Sequence, residues 1–229
     1  MQEIPFEKYR PKEFSEVLGQ DKAISTIQKR IRRSGWAGQR WYLTGATGTG
    51  KTTLARIIAR MEATACQIVE VNAIRVNLEF VRDIENQIAY PSMFGGRAWI
   101  INEAHLLSSK VVSAFLDCLE KIAEKQQDCI IFTTTWAGSE SLFADSFDSK
   151  PFSGRCNQVS LTNQGFNQCI VNRLQEISRL ENIKFDGDFM TEKLAKSIVK
   201  KVGSTMREAI IEMENLEDDI VEQNLAIVA

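Results

Sequence analysis

A chain of 229 residues that is 44% apolar is long enough to bury one good core or two modest ones. Its 28 basic and 30 acidic residues leave a formal charge of -2, which excludes a global pull on nucleic acid and confines any such contact to a local patch or a partner chain. A single histidine, five scattered cysteines with no Cys-x-x-Cys pair and no bilayer-length apolar run argue against histidine metal clusters, redox pairs and membrane spans, and predict a soluble protein with buried, reduced thiols in the cytoplasm.

The N-terminal MQEIPFEKYR lacks the apolar segment of a secretory signal. Lys29, Arg30, Arg32 and Arg33 form the densest basic run, which reads as a solvated helix end more readily than as a phosphate contact. Downstream, short apolar runs alternate with amphipathic stretches of helix length. WYLT (41–44) precedes a helix from Lys51, CQIVEV (66–71) precedes one over 77–89, AWII (98–101) precedes one over 109–124, and CIIFTTT (129–135) follows. Apolar strands each followed by a helix predict a parallel sheet covered on both faces. From about residue 161 the strand signal disappears. Leu194, Ile198, Val199 and Val202 recur at helical spacing, as do Ala209, Met213 and Leu216, predicting a small helical domain. The expected division is an α/β nucleotide-binding domain over 1–160 and a helical domain over 161–229.

GATGTGKT fits the phosphate-binding pattern G-x-x-x-x-G-K-[ST] and lies between a predicted strand and helix. Gly45, Ala46, Thr47, Gly48, Thr49 and Gly50 can curl their backbone around phosphate, with Thr53 in the first helical turn behind them. Lys51 reaches the β and γ phosphates, and Thr52 offers its hydroxyl to Mg²⁺. The bland alternative, a glycine-rich strand-to-helix turn, leaves the lysine and threonine unexplained.

Such a loop calls for acidic residues at the end of another buried strand, and WIINEAH (99–105) supplies them. Glu103 is placed as general base toward water. Asn102 stands where a carboxylate is expected beside the metal. At ~5 Å and an effective dielectric of ~20, the missing charge is worth on the order of several kcal/mol against Mg²⁺ before screening. Changes in groups that support a metal more typically cost about ten- to a hundredfold. Nucleotide binding is therefore expected to survive with slower hydrolysis, and Asn102→Asp to raise turnover.

KYRPKEFSEVLGQDKA (8–23), the phosphate loop, EVNA (70–73), IINEAHLLS, IIFTTT, SGRC (153–156) and GSTMREAI (203–210) together resemble, in order and over nearly the whole chain, the motor subunits of replication clamp loaders within the AAA+ ATPases. The resemblance implies a P-loop AAA+ module: a five-stranded parallel sheet flanked by helices, then a three-helix lid. It implies ATP and Mg²⁺ as cofactors, and other loader subunits, a sliding clamp and primer-template DNA as partners. Tyr9, Arg10 and Pro11 with Val17, Leu18 and Gly19 would line the adenine. Asn72 resembles the polar residue that restrains the catalytic glutamate. Thr135, or its neighbour Thr134, would sense the γ-phosphate, and Arg207 would reach it from the lid. Arg155 would act on the ATP of the adjacent subunit.

This sequence departs from the family pattern at Asn102, and at Gly154, which interrupts the Ser-Arg-Cys spacing before Arg155. It lacks the zinc-binding cysteines of many bacterial relatives, so no zinc is expected. The family continues into a helical collar beyond the point matching Ala229, so the sequence is expected to be a truncated chain or a short homologue, of viral type, that assembles differently.

Met93 and Phe94, in YPSMFGG (90–96), invite two readings: an apolar wedge for a sliding clamp, or packing into the chain's own core. Taken alone, Arg207 reads as a surface ion pair, and His105 as a cap or packing residue. Trp36, Trp41, Trp99 and Trp136 read as core or edge packing. Two other functions stay open: a different AAA+ DNA motor, of branch-migration or helicase-loader type, or a non-hydrolysing subunit that binds ATP structurally.

Overall fold

The computed structural model describes residues 5–124, 127–135, 149–185, 188–203 and 205–228. Contacts divide the chain into two compact units. One comprises Pro11–Ala46 and Gly50–Leu161, the other Met1–Arg10, Thr47–Thr49 and Thr162–Ala229. The short helix α1 (Pro5–Lys8) is thereby grouped with the helical unit, where the sequence assigned it to the α/β domain.

The α/β unit holds five parallel strands: β1 (Arg40–Thr44), β2 (Ala63–Asn72), β3 (Gly96–Asn102), β4 (Asp128–Thr134) and β5 (Asn157–Ser160). Their order is β2-β3-β4-β1-β5. β4 is buried along its whole length, and β1 and β3 nearly so, as interior strands of a two-faced parallel sheet must be. On one face, α2 (Asp21–Ser34) and α3 (Lys51–Arg60) pack Ile24, Ile27, Leu54 and Ile58 against Trp41, Leu43, Ile100 and Ile131. On the other lie α4 (Leu78–Ile88), α5 (Ser109–Glu124) and α6 (Ser149–Gly154). There Phe115, Phe132 and Phe152 meet edge to face, with Phe132 and Phe152 centroids 4.9 Å apart. Trp36, Trp41 and Trp99 are all buried, as read from the sequence; Trp136 lies outside the described residues. Lys29, Arg30, Arg32 and Arg33 are exposed near the end of α2, as either a solvated helix end or a phosphate contact requires.

Three thiols belong to this core, and two of the five do not: Cys66 is exposed and Cys169 half-buried. Burial pushes Cys118 and Cys156 up to about 12 and raises Cys129 as well. An unfolded chain ionises its thiols near about 8.5. Above that pH the unfolded state binds fewer protons than the folded one, so stability falls as pH rises toward 12. Cys118→Ala should flatten this alkaline loss in urea unfolding measured between pH 8 and 10. A slope identical to the parent's would assign the loss to other groups.

In the helical unit, α7 (Phe166–Leu180), α8 (Glu192–Val202) and α9 (Met206–Val228) enclose a core of their own. Phe166, Ile170, Leu174 and Ile177 form one face of α7 and meet Ala195, Ile198 and Val199 of α8 and Ala209 and Met213 of α9. Thr191 caps α8 by accepting from the Leu194 N–H, and Gly203, at φ 82, ends it. The unit also contains a two-stranded antiparallel pair, β6 (Lys184–Phe185) with β7 (Asp188–Phe189), which the sequence reading did not anticipate. Two-residue strands carry no readable period. Among the described residues, no helix is long and apolar enough to cross a membrane.

Candidate active site

β1 ends at Thr44 and α3 begins at Lys51, so the glycine-rich segment runs from the carboxyl end of a central strand to a helix N-terminus. Ligands of open parallel sheets bind at that end. Gly48 and Gly50 hold φ values of 81° and 92°, which a side chain would oppose. Gly50 is the N-cap of α3 and leaves the first N–H groups of the helix uncovered by a side chain, a ready site for phosphate. Lys51 is buried and donates from Nζ to the Gly45 carbonyl at 3.0 Å and the Ala46 carbonyl at 2.8 Å. Burial lowers its pKa, and the nearby Glu103 charge opposes that shift. An ammonium satisfied by carbonyls of its own loop can exchange them for phosphate oxygens by rotating its side chain. Thr49 and Thr53 are buried and Thr52 half-buried.

Across the sheet, Asn102 closes β3. Its Oδ1 accepts from the hydroxyls of Thr52 at 3.2 Å and Thr133 at 2.9 Å, while its Nδ2 donates to Glu70 at 2.9 Å. A hydroxyl and an amide oxygen in contact between loop and strand end are hard oxygen donors of the kind that suits Mg²⁺. Glu103 follows at φ 56° and ψ 46°, the left-handed region that non-glycine residues enter rarely and mostly under constraint. This turn takes its side chain off the line of the strand. Its carboxylate lies 3.5 Å from His105 Nδ1, which in turn lies 3.0 Å from the Thr134 hydroxyl. The ends of β3 and β4 are thus linked through a histidine expected only to cap or pack.

The α/β unit therefore brings Lys51, Thr52, Asn102 and Glu103 together beside β4. Thr134 is engaged through His105, and Thr135 follows as a half-buried residue. Thr133, which touches Asn102 directly, was missed: three consecutive threonines give no sign of which one faces the site. Asn72 caps its own turn by accepting from the Ile74 N–H at 3.0 Å, and among the described residues no hydrogen bond joins it to Glu103. Val17 packs into the α/β core, while Pro11 and Leu18 are half-buried and Gly19 turns the chain at φ 69°.

The other expected residues lie in the helical unit. Tyr9 donates its hydroxyl to Glu181, and Arg10 pairs with Glu7. Arg207 stacks its guanidinium 4.8 Å over the Phe6 ring rather than forming the ion pair expected of it alone. In the α/β unit, Arg155 donates to Glu120 on α5 at 2.5 and 2.9 Å and to the Pro151 carbonyl at 3.2 Å. Gly154 has open space where a Cβ would sit.

A family profile described as "ABC transporter" matches residues 29–150, the stretch that carries the phosphate loop and the Asn102–Glu103 strand end. The DNA polymerase III subunit gamma/tau of Mycoplasma pneumoniae is 28% identical over 217 residues, covering 84% of this chain and 30% of that protein. The replication factor C large subunit of Methanococcus maripaludis is 28% identical over 217 residues, covering 92% of this chain and 41% of that protein. The chain thus spans less than half the length of these curated relatives. A single-site variant of Thermotoga maritima RuvB superposes with a TM-score of 0.65 at 21% identity, covering 93% of this chain and 67% of that one, a likeness of fold. The profile ends before α7, so it reports the phosphate-loop core that P-loop ATPases share, whereas the two replication proteins match over most of the chain. The chain belongs to the P-loop ATPases, as an AAA+ module similar over most of its length to DNA polymerase III subunit gamma/tau and to the replication factor C large subunit.

Proposed function

We propose that this chain is an ATP-hydrolysing motor subunit of a cytoplasmic DNA sliding-clamp loader. The observation that carries the hydrolytic part is Glu103, held in a left-handed conformation directly after Asn102 and beside the phosphate-loop lysine and threonine. The first N–H groups of α3 and Lys51 bind the phosphates. Thr52 and Asn102 would hold Mg²⁺, which when bound would supply positive charge against the negative charge that develops on the transferred phosphoryl group. Glu103 orients the attacking water and accepts its proton. Thr134 or Thr135, at the end of β4, contacts the γ-phosphate, and Pro11, Val17 and Leu18 take the adenine. Other loader subunits and primer-template DNA complete the assembly. Steady-state ATP turnover, measured alone and with primed DNA and a sliding clamp, tests the reading. Stimulation by clamp and DNA together is expected. ATP binding without turnover would favour the structural role that Asn102 suggests, and turnover indifferent to both would favour another motor.

The loop before β3 supports the clamp as partner. Met93 is 92% exposed and Phe94 67% exposed, so neither packs into the core of its unit, and Tyr90 beside them is also exposed. Contiguous apolar side chains in water mark an interaction surface. Arg97 braces the base of this loop by donating to the carbonyls of Gln87 and Tyr90 while paired with buried Asp128. Phe94→Ala should weaken clamp binding at least tenfold, a central-anchor effect of about 1.4 kcal/mol or more. Its melting temperature should stay within about 1 °C of the parent's, because an exposed side chain leaves no cavity. Unchanged clamp affinity in surface plasmon resonance would remove Phe94 from the interface.

A further inference from the structure

Asn102 is surrounded as an amide would be, and Glu70 is the reason. The Asn102 Oδ1 receives the Thr52 and Thr133 hydroxyls at 3.2 and 2.9 Å, and its Nδ2 donates to Glu70 Oε1 at 2.9 Å. Hydroxyls tolerate either end of an amide, because they donate or accept by rotation; an ionised carboxylate only accepts. Glu70 therefore decides which way the amide points. Glu70 lies on β2, two residues before Asn72, which is in register with Asn102. It is gripped by Arg56 of α3, Nε to Oε2 at 2.6 Å and Nη2 to Oε1 at 3.1 Å. Arg56 sits four residues after Thr52, one helical turn along the same face of α3. The fork of Arg56 fixes the carboxylate, the carboxylate fixes the amide nitrogen, and the amide oxygen is left facing the Thr52 hydroxyl.

We infer that Glu70 is the positioning residue for Asn102, holding its carbonyl oxygen toward Thr52 and so toward Mg²⁺. This rests on the reading of Thr52 and Asn102 as the metal side of the site. Because Arg56 offsets its charge, Glu70 acts through direction. A carboxylate introduced by Asn102→Asp would face Glu70 across a hydrogen-bond distance with no proton between them, so the gain expected from that substitution alone is withheld by the Glu70 contact. Asn102 and Glu70 form one unit, and position 102 reads as a defect only when it is considered alone.

The test is the Mg²⁺ dependence of binding of a fluorescent ATP analogue, followed by anisotropy, with affinity in EDTA and the melting temperature measured alongside. Glu70→Ala should raise the Mg²⁺ concentration for half-maximal tight binding on the order of tenfold, the usual cost of losing a group that orients a metal ligand. Affinity in EDTA should stay within about twofold of the parent's. Glu70→Gln, which keeps an acceptor oxygen and adds a donor, should fall between the two. Combined with Asn102→Asp, Glu70→Gln should lower the Mg²⁺ requirement below that of Asn102→Asp alone, because its amide can donate to the new carboxylate. Arg56→Ala should reproduce the direction of the Glu70→Ala shift. An unchanged Mg²⁺ midpoint in Glu70→Ala, or an Asn102→Asp effect of the same size with and without Glu70, would overturn the inference. Thr52→Ala separates the two levels. If it shifts the midpoint and Glu70→Ala does not, the metal site stands and the Glu70 role falls; if neither shifts it, the metal site itself is wrong.

Discussion

Glu103→Gln should slow ATP turnover on the order of a thousandfold, about 4 kcal/mol of transition-state stabilisation, while ATP affinity stays within about twofold of the parent's. The substitution keeps the size and hydrogen-bonding reach of the side chain and removes its capacity to take a proton. Affinity is expected to rest on other groups: the N–H groups at the start of α3, and Lys51 with its exchangeable carbonyl partners. The left-handed backbone of Glu103 is strained for any residue with a Cβ, and a glutamate kept there serves placement. Glutamine has the same backbone requirement, so the variant should fold with an unchanged melting temperature. Lys51→Ala is the contrasting control and should lose nucleotide binding itself. Affinity from titration with a labelled nucleotide and rate from single turnover decide the matter. A parallel loss of binding and rate in Glu103→Gln would make Glu103 a binding group. An unaltered rate would remove it from the chemistry.

Both the phosphate loop and the buried strands were legible because each has a local cause. Gly50, Lys51 and Thr52 are adjacent in sequence, and a parallel strand buried on two faces must be apolar at every position, as Trp99 to Ile101 and Cys129 to Phe132 are. Edge strands do not obey that rule. β5 is Asn157–Ser160, in which Val159 alone is buried, and its polar run carried no strand signal. β2 is mostly exposed beyond Ala63, so the apolar positions around Ile68 and Val69 revealed only the stretch 66–71 of its ten residues.

The site was legible by residue type more than by partner. Asn102 and Glu103 follow a buried strand and could be picked out. Their partners could not, because Glu70 lies 32 residues from Asn102, and Thr133 is one threonine among three. Pairing between parallel strands is set by sheet order and register, which a single sequence does not encode in its spacing. The expectation that Asn102→Asp alone would speed hydrolysis considered the charge at one position without the carboxylate facing it. Asn72 shows the same limit, since its capping bond to Ile74 is a local turn preference that competes with any role toward Glu103.

Arg155→Ala should lower the ATPase rate of the assembled ring on the order of a thousandfold and leave the ATP affinity of its own subunit unchanged. A guanidinium that completes a neighbour's site stabilises charge that exists only in the transition state, so its loss appears in rate. Within its own unit Arg155 is occupied: Glu120 accepts from its Nε and a terminal nitrogen, and the Pro151 carbonyl accepts from the other. The Glu120 pair is partly exposed, worth about 1 kcal/mol or less, and can be given up for a phosphate. The isolated chain should therefore hydrolyse ATP weakly, with activity rising faster than linearly with protein concentration, or on addition of ring partners and DNA. Mixed assemblies give the sharper measurement. Subunits carrying Arg155→Ala, combined with subunits carrying Lys51→Ala, should retain turnover wherever an intact arginine faces an intact phosphate loop, whereas either variant alone should be inactive. Glu120→Ala should leave the assembled rate undiminished, since it frees the guanidinium without changing its reach. Loss of ATP binding by the Arg155→Ala subunit itself, or an assembled rate equal to the parent's, would end the role in trans. Gly154, which alters the spacing ahead of Arg155 and has open space where a Cβ would sit, would then be the place where the arginine's aim is lost.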